Sequence, residues 1–172
     1  MSHVIPKRKV SVHVVLETGE NLRGNLFLDF IDVIHRGEQT ILDKLNDDYP
    51  WFALALEDGP VSVVNRSKVV LVEPGAGVVP RMVRNDNSPV FRRERVTLKL
   101  AQDRTLVGQL AMDLPDEFSR VSDFLNFPQN FFALETDEGP VLVSKDHVVT
   151  LYPHEKPPAM PAVGGRENVD RA

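Results

Sequence analysis

The 172-residue chain contains no cysteine, one tryptophan and two tyrosines, and it lacks long apolar runs. Without cysteine it has no disulfide framework, no thiolate nucleophile and no sulfur ligand, which excludes cysteine-dependent enzymes and most structural zinc sites. No apolar run approaches the ~18 residues that a membrane-spanning helix needs, and the start of the chain lacks the apolar stretch of a signal peptide. We therefore expect a cytoplasmic protein that does not enter a membrane.

Patterns of catalytic and metal-binding residues are also missing. The five histidines form neither H-E-x-x-H nor a close pair, whereas a zinc site needs three or four convergent ligands. Glycine-rich phosphate loops and the G-x-S-x-G elbow of hydrolases are absent, and the paired carboxylates lie in turns, where neighbours rarely face each other as acid and base. We expect no catalytic residue, no metal and no cofactor, and hence a protein that is not an enzyme.

Charge is distributed unevenly along the chain. Residues 9–74 hold 6 basic and 11 acidic residues and residues 94–153 hold 5 and 10, so each segment has a net charge of −5. Basic residues cluster just before the first predicted strand of each segment, and they include Arg8, Arg92, Arg93 and Arg95. Because nucleic-acid affinity comes mainly from Lys and Arg facing phosphates, two acidic segments argue against nucleic acid as a partner.

An internal repeat divides the chain into two copies. The pattern L-x-G-x-L at Leu22–Leu26 recurs 84 residues later at Leu106–Leu110, and the pattern D-x-L-N at Asp43–Asn46 recurs 80 residues later at Asp123–Asn126. Apolar residues alternate with polar ones through most of each copy, which indicates half-buried strands. One short segment of each copy has helical spacing instead. The predicted order in each copy is strand, strand, helix and three further strands.

These patterns predict a mainly β fold with two tandem domains. We place the first domain at residues 9–74 and the second at 94–153. Residues 75–93 are rich in Pro, Gly and Asn and predict a linker. Residues 154–172 contain three prolines and no apolar repeat, and they predict a disordered tail.

The segments Leu16–Leu26 and Leu100–Leu110 resemble the first half of bacterial Sm-like and SH3-like small β-barrels. The tandem is also similar to uncharacterised bacterial proteins in which such a barrel carries a D-x-L-N helix between its second and third strands. The resemblance implies two small antiparallel β-barrels, each with that helix. Sm-like proteins bind RNA partly through an Arg-Gly or Lys-Gly pair, and here the corresponding Arg66-Ser67 and Lys145-Asp146 lack the glycine.

The repeated aspartate and asparagine of the helix allow two interpretations. Asp43, Asn46, Asp123 and Asn126 could contact a ligand, as the Asp and Asn of Sm-like barrels contact a base. Alternatively, the aspartates cap the first turn, Thr40 to Asp43 fits a capping box, and the asparagines end the helix. The structural interpretation is favoured, because it explains both residue types without a ligand.

Two adjacent aromatic residues open the third strand of each copy. Because neighbouring strand residues point to opposite faces, Phe52 and Phe132 are expected to enter the core while Trp51 and Phe131 point outward. Either the short helix of the same copy covers these two rings, or at least one of them contacts the other barrel, a second subunit or a partner.

The sequence therefore favours a non-enzymatic protein-interaction module that binds through apolar strand faces. Trp51 and Phe131 are the candidate contact residues, and the partner is another protein or a second copy of the chain. The alternative is an Sm-like RNA-associated protein that uses the basic flanks of the barrels, with Arg8, Arg92, Arg93 and Arg95 as the contacts.

Overall fold

The structure is a computed structural model that describes residues 7–30, 37–85, 90, 92–113 and 120–154. Its strands are β1 (Lys7–Leu16), β2 (Asn21–Asp29), β3 (Trp51–Leu56), β4 (Val61–Asn65), β5 (Val69–Pro74), β6 (Arg92–Leu100), β7 (Thr105–Met112), β8 (Phe131–Thr136), β9 (Gly139–Ser144) and β10 (Val148–Pro153). Three short helices are α1 (Ile41–Leu45), α2 (Pro80–Val83) and α3 (Val121–Asn126). The predicted tail lies outside the described residues, except for His154.

All described strands pair antiparallel in one sheet, in the order β10-β6-β7-β8-β9-β5-β1-β2-β3-β4. The mainly β class is therefore confirmed, and a short helix lies between the second and third strands of each repeat. Both repeats have the same internal order, in which the fifth strand returns to pair with the first. The strand order, register and helix position repeat because the sequence repeats.

The sheet differs from the two closed barrels that the sequence predicts. Within the described residues, β5 does not pair with β4, and the sheet stays open. Instead β5 pairs with β9 of the second repeat, where Leu71 lies opposite Val143 and Val72 lies opposite Leu142. A strand has two edges, and those of β5 are occupied by β1 and β9. We call this β5–β9 pairing and the side chains around it the junction.

The hairpins of the two repeats differ in length by one residue. Phe52 lies opposite Val64 in the first repeat, and Phe132 lies opposite Val143 in the second. Residues of the third strand therefore match between the repeats at an offset of 80, and residues of the fourth strand match at an offset of 79, because the turn between them is one residue shorter in the second repeat. As a result, Val63 of β4 is structurally equivalent to Leu142 of β9.

The glycine of the L-x-G-x-L pattern allows close strand contact in both repeats. A Cβ atom at Gly24 would lie 2.4 Å from the carbonyl oxygen of Ala55, and one at Gly108 would lie 2.5 Å from that of Glu135. Real Cβ atoms do not approach backbone oxygens so closely, so any side chain would force β2 away from β3, or β7 away from β8. The repeated glycine is a packing requirement of the sheet.

We expect Gly24→Ala and Gly108→Ala each to destabilise the protein by about 1–3 kcal/mol, because the added methyl group displaces a neighbouring strand. Urea unfolding would measure the change. Gly59→Ala is the matched control, since a Cβ atom there meets nothing within 4 Å. Equal unfolding midpoints for all three variants would contradict the prediction.

Two hydrophobic cores interlock across the junction. The core of the first repeat includes three residues of the second repeat, namely Phe131, Ala133 and Leu142. The core of the second repeat includes three residues of the first, namely Val15, Val70 and Leu71. Each core is therefore completed by side chains from the other repeat.

The predicted linker contains ordered structure in its first part. Pro80 begins the helix α2, and Val83 at its end is buried in the core of the first repeat, which also contains Ile41 and Leu45. Residues 86–89 and 91 lie outside the described residues, and β6 begins at Arg92, two residues before the predicted boundary. The segment after β5 thus packs on the first repeat rather than only connecting the repeats.

Candidate functional site

The repeated aspartates lie at the start of their helices. The backbone N–H of Asp43 donates to Thr40 Oγ1 at 3.1 Å, and the backbone N–H of Thr40 donates to Asp43 Oδ2 at 3.0 Å. In the second repeat, the backbone N–H of Arg120 donates to Asp123 Oδ2 at 3.3 Å. Both carboxylates accept from a backbone donor at a helix N-terminus, which is a capping contact.

The repeated asparagines have different surroundings. Asn46 crosses the junction: its Nδ2 donates to the carbonyl oxygen of Phe131 at 3.1 Å, and its Oδ1 accepts from the backbone N–H of Phe131 at 2.8 Å. Asn126, at the equivalent place in the second repeat, is exposed. One asparagine thus holds the start of β8 to α1, and the other faces solvent.

The four candidate arginines do not converge on one site. Arg8 donates to Glu38 Oε2 at 2.8 Å and to the carbonyl oxygen of Gln39 at 2.9 Å, and Arg92 forms an ion pair with Glu94. Arg93 and Arg95 are exposed. Because successive strand residues point to opposite faces, these two side chains lie on the face of β6 opposite to that of Arg92. This arrangement does not form a single basic groove.

Arg66 and Lys145, which the resemblance to Sm-like proteins singled out, contact the C-terminal end of each repeat's helix or the chain just after it. Arg66 Nη1 donates to the carbonyl oxygen of Asp47, and Lys145 Nζ donates to those of Phe124 at 3.1 Å and Phe127 at 2.9 Å. Burial of the ammonium lowers the pKa of Lys145, and the charge of Asp113 opposes this shift. Both cations are occupied by carbonyl groups of the same repeat.

Within the described ranges, no cluster of three or more His, Asp or Glu side chains could hold a metal ion. None of the described helices is long and apolar enough to cross a membrane. An open cleft of about 500 Å³ lies beside α3 and β10, and its apolar side is formed by Val121, Leu125, Leu151 and Pro153.

An apolar surface lies at the β4 end of the sheet. The exposed fractions are 54% for Trp51, 58% for Val61 and 64% for Val63. Val63 lies opposite Ala53 of β3, so these residues share the face of the sheet that carries Trp51. We call Trp51, Ala53, Val61 and Val63 the edge patch.

The second aromatic candidate has the opposite environment. Phe131 is 1% exposed and belongs to the core of the first repeat, together with Ala133 and Leu142. The equivalent residues of the first repeat, Trp51 and Ala53, have no such cover, and Trp51 is more than half exposed. The two aromatic positions are thus equivalent in sequence and different in structure.

Several exposed apolar residues were not identified from the sequence. On the strands at the two ends of the sheet they are Val61 and Val63 of β4, and Val149 and Tyr152 of β10. In β4 the available signal was alternation: Val61 and Val63 lie on one face, while Val64 lies on the other and is buried.

Comparisons with models of protein families, with curated proteins and with solved structures found no match to this chain.

Proposed function

We propose that this protein is a non-enzymatic protein-interaction module whose binding surface is the edge patch and the open side of β4. The observation that carries the proposal is the exposure of Trp51, Val61 and Val63 on neighbouring strands at a sheet edge. A contiguous apolar surface of this kind on an edge strand promotes association unless a partner covers it. Aromatic residues such as Trp51 often contribute strongly to binding.

The backbone of β4 has hydrogen-bonding groups on its open side that a partner could use. The N–H of Arg66 donates to the carbonyl oxygen of Pro50 at 2.9 Å, and the N–H of Leu56 donates to that of Pro60 at 3.4 Å. In an antiparallel pair the hydrogen-bonded positions alternate, so the backbone groups of Val61 and Val63 point away from β3. An extended segment of a partner can therefore add to β4 as a further strand.

The proposal also covers the type of β fold that each repeat adopts and the cellular compartment of the protein. We propose that each repeat is a variant of the Sm-like and SH3-like small barrel, supported by its five-strand order, its L-x-G-x-L glycine and its helix. The cytoplasm is the proposed compartment, because a chain without cysteine does not depend on an oxidising environment.

Affinity capture tests the proposed surface. The wild-type chain, a Trp51→Ser/Val63→Lys variant and a Val107→Lys control are immobilised and exposed to nuclease-treated native extract. Val107 is the matched control because it is also an exposed strand valine, but lies on β7. We expect proteins that bind the wild type and the control but not the edge-patch variant, and that do so again after purification. Identical capture by all three chains would refute the proposal.

The RNA-associated alternative makes a contrasting prediction. We expect no measurable binding of single-stranded or duplex oligonucleotides at ~0.15 M salt, because both repeats are acidic and Arg8 and Arg92 contact carboxylates. Fluorescence anisotropy is the measurement. Micromolar affinity that disappears when Arg92, Arg93 and Arg95 are replaced by alanine would contradict the prediction and establish the alternative.

A further inference from the structure

We infer that the edge patch binds a second copy of this chain, whose β10 adds to β4 in the way that β5 adds to β9 within one chain. The inference rests on the proposed function, because it names the partner of the same surface. Its basis is the sheet order. The internal junction joins the fifth strand of the first repeat to the fourth strand of the second. Among the described strands, the two at the free edges of the sheet are the fourth strand of the first repeat and the fifth strand of the second.

The register of the internal junction transfers directly to the free edges. Val72 lies opposite Leu142, and their repeat equivalents are Leu151 and Val63. Leu151 of one copy is therefore expected opposite Val63 of the next. The two strands run antiparallel, as β5 and β9 do.

Hydrogen-bonding directions at both free edges agree with this register. The N–H of His154 donates to the carbonyl oxygen of Arg95 at 2.8 Å, so alternation along β10 turns the backbone groups of Leu151 away from β6. Those of Val63 point away from β3, as derived above. The pair of Leu151 and Val63 can thus form two interchain hydrogen bonds without breaking a bond within either chain.

The side chains of the edge patch match those that are buried in the junction. Phe131, Ala133 and Leu142 are buried in the core of the first repeat. Their equivalents at the free edge are Trp51, Ala53 and Val63, which are similar in type and half-buried or exposed. The same apolar set is therefore present at both places, and only the internal one is covered.

The receiving surface on the second repeat is correspondingly incomplete. In the first repeat, Leu45, Val69 and Val72 are fully buried in the core that Phe131 enters. Their equivalents Leu125, Val148 and Leu151 are only partly buried. Leu125 and Leu151 line the open cleft of about 500 Å³ described above. We expect the edge patch of a second copy to cover these residues.

Polar contacts of the junction also have counterparts at the free edges. Asn46 binds the backbone of Phe131 within the chain. The residues equivalent to this pair are the exposed Asn126 and Trp51, so we expect Asn126 of one copy to bind the backbone of Trp51 of the next. Next to the junction, His147 Nε2 lies 2.8 Å from the carbonyl oxygen of Ser67. The equivalent residues Lys68 and Asp146 are exposed and oppositely charged, so they favour the same arrangement between copies.

Some positions make the interchain contact weaker than the internal junction. Val15 and Leu71 are buried there, whereas their equivalents Lys99 and Thr150 are polar and exposed. The internal contact also benefits from the high effective concentration of two segments in one chain. We therefore expect reversible association that increases with protein concentration.

The contact is head-to-tail, because β4 and β10 are different surfaces. Each copy offers one of each, so a pair of copies still has one free β4 and one free β10 until the assembly closes. A variant blocked at β4 keeps its β10, and a variant blocked at β10 keeps its β4. The two variants can therefore bind each other through a single contact.

Sedimentation and light scattering of the full chain test the inference. Val63→Pro blocks β4 and Leu151→Pro blocks β10, and each removes an N–H that points away from the strand's partner in the chain. We expect the wild type and the Val107→Lys control to form species of two or more copies, and each proline variant alone to be monomeric. An equimolar mixture of the two variants is expected to form a 1:1 complex and nothing larger.

Three results would overturn the inference. They are a wild type that stays monomeric at every concentration, a Leu151→Pro variant that assembles like the wild type, and a mixture that gives no complex while both variants melt cooperatively. If Leu151→Pro does not fold, Asn126→Ala replaces it, since Asn126 is exposed, and several-fold weaker self-association is expected. A monomeric wild type that still captures another protein through Trp51 and Val63 would leave the proposed function standing.

Discussion

Replacement of Phe131 by alanine is expected to destabilise the protein by about 3–5 kcal/mol, as large-to-small substitutions of buried aromatic residues do. The same change at Trp51 is expected to cost no more than about 1 kcal/mol, because over half of that side chain is in solvent. Phe131 is 1% exposed and Trp51 is 54% exposed, although they occupy equivalent positions of the repeat. Of the two sequence-based interpretations, only the one in which these rings contact a partner predicts that both substitutions leave the melting temperature nearly unchanged.

Urea unfolding of the two variants and the wild type measures this difference. Dilute samples are needed, since self-association would add its own stabilisation to the wild type. Phe52→Ala is a useful reference, because Phe52 is buried in the same core. Equal destabilisation at positions 51 and 131 would contradict the assignment of Phe131 to the core of the first repeat.

Much of the local structure follows from the sequence. Alternation of apolar and polar residues predicts the paired strands, because a half-buried strand needs one apolar face. The spacing of Thr40 and Asp43 predicts a capping box, and the backbone contacts of these two residues form one. The glycine of the L-x-G-x-L pattern recurs because a neighbouring backbone oxygen occupies the space of a side chain.

The junction could not be predicted in the same way. A period of two shows that Phe131 and Phe132 lie on opposite faces of β8, and they do enter different cores. The pattern does not show what covers each face, which depends on how distant strands pair. Local propensity carries no information on the pairing of β5 with β9.

Asn46 illustrates the same limit. Its repeated position and the resemblance to Sm-like barrels suggest a ligand contact, and its place after the last apolar residue of the helix suggests a helix end. Neither interpretation identifies a contact with the other repeat. Its side-chain partner in the structure is the backbone of Phe131, 85 residues away. The exposed Asn126 shows that one sequence position serves two environments, because among the described residues only Asn46 has a strand of the other repeat beside it.

The interlocked cores lead to the expectation that neither repeat folds independently. Fragments 1–75 and 90–156 separate the repeats near the predicted linker. The first fragment loses Phe131, Ala133 and Leu142 from its core, and the second loses Val15, Val70 and Leu71. Domains of ~60 residues are marginally stable even with complete cores, and these have no disulfide to compensate.

Circular dichroism melts of the fragments and the full chain provide the measurement. We expect a cooperative transition for the full chain and broad, low-temperature transitions for both fragments. Fragment 1–85 is the necessary control, because it restores α2 and the buried Val83 while still lacking the second repeat. Its transition is expected to remain below that of the full chain.

Mixing the fragments tests whether each repeat is unstable only because it lacks the core side chains that the other repeat supplies. If each repeat lacks only the side chains of the other, fragments 1–85 and 90–156 together regain a cooperative transition, since Phe131 and Leu142 can enter the first core again. Separate fragments that melt as cooperatively and at the same temperature as the full chain would contradict this expectation. Such a result would mean that the junction joins two independent domains, and that its buried side chains contribute little to the stability of either.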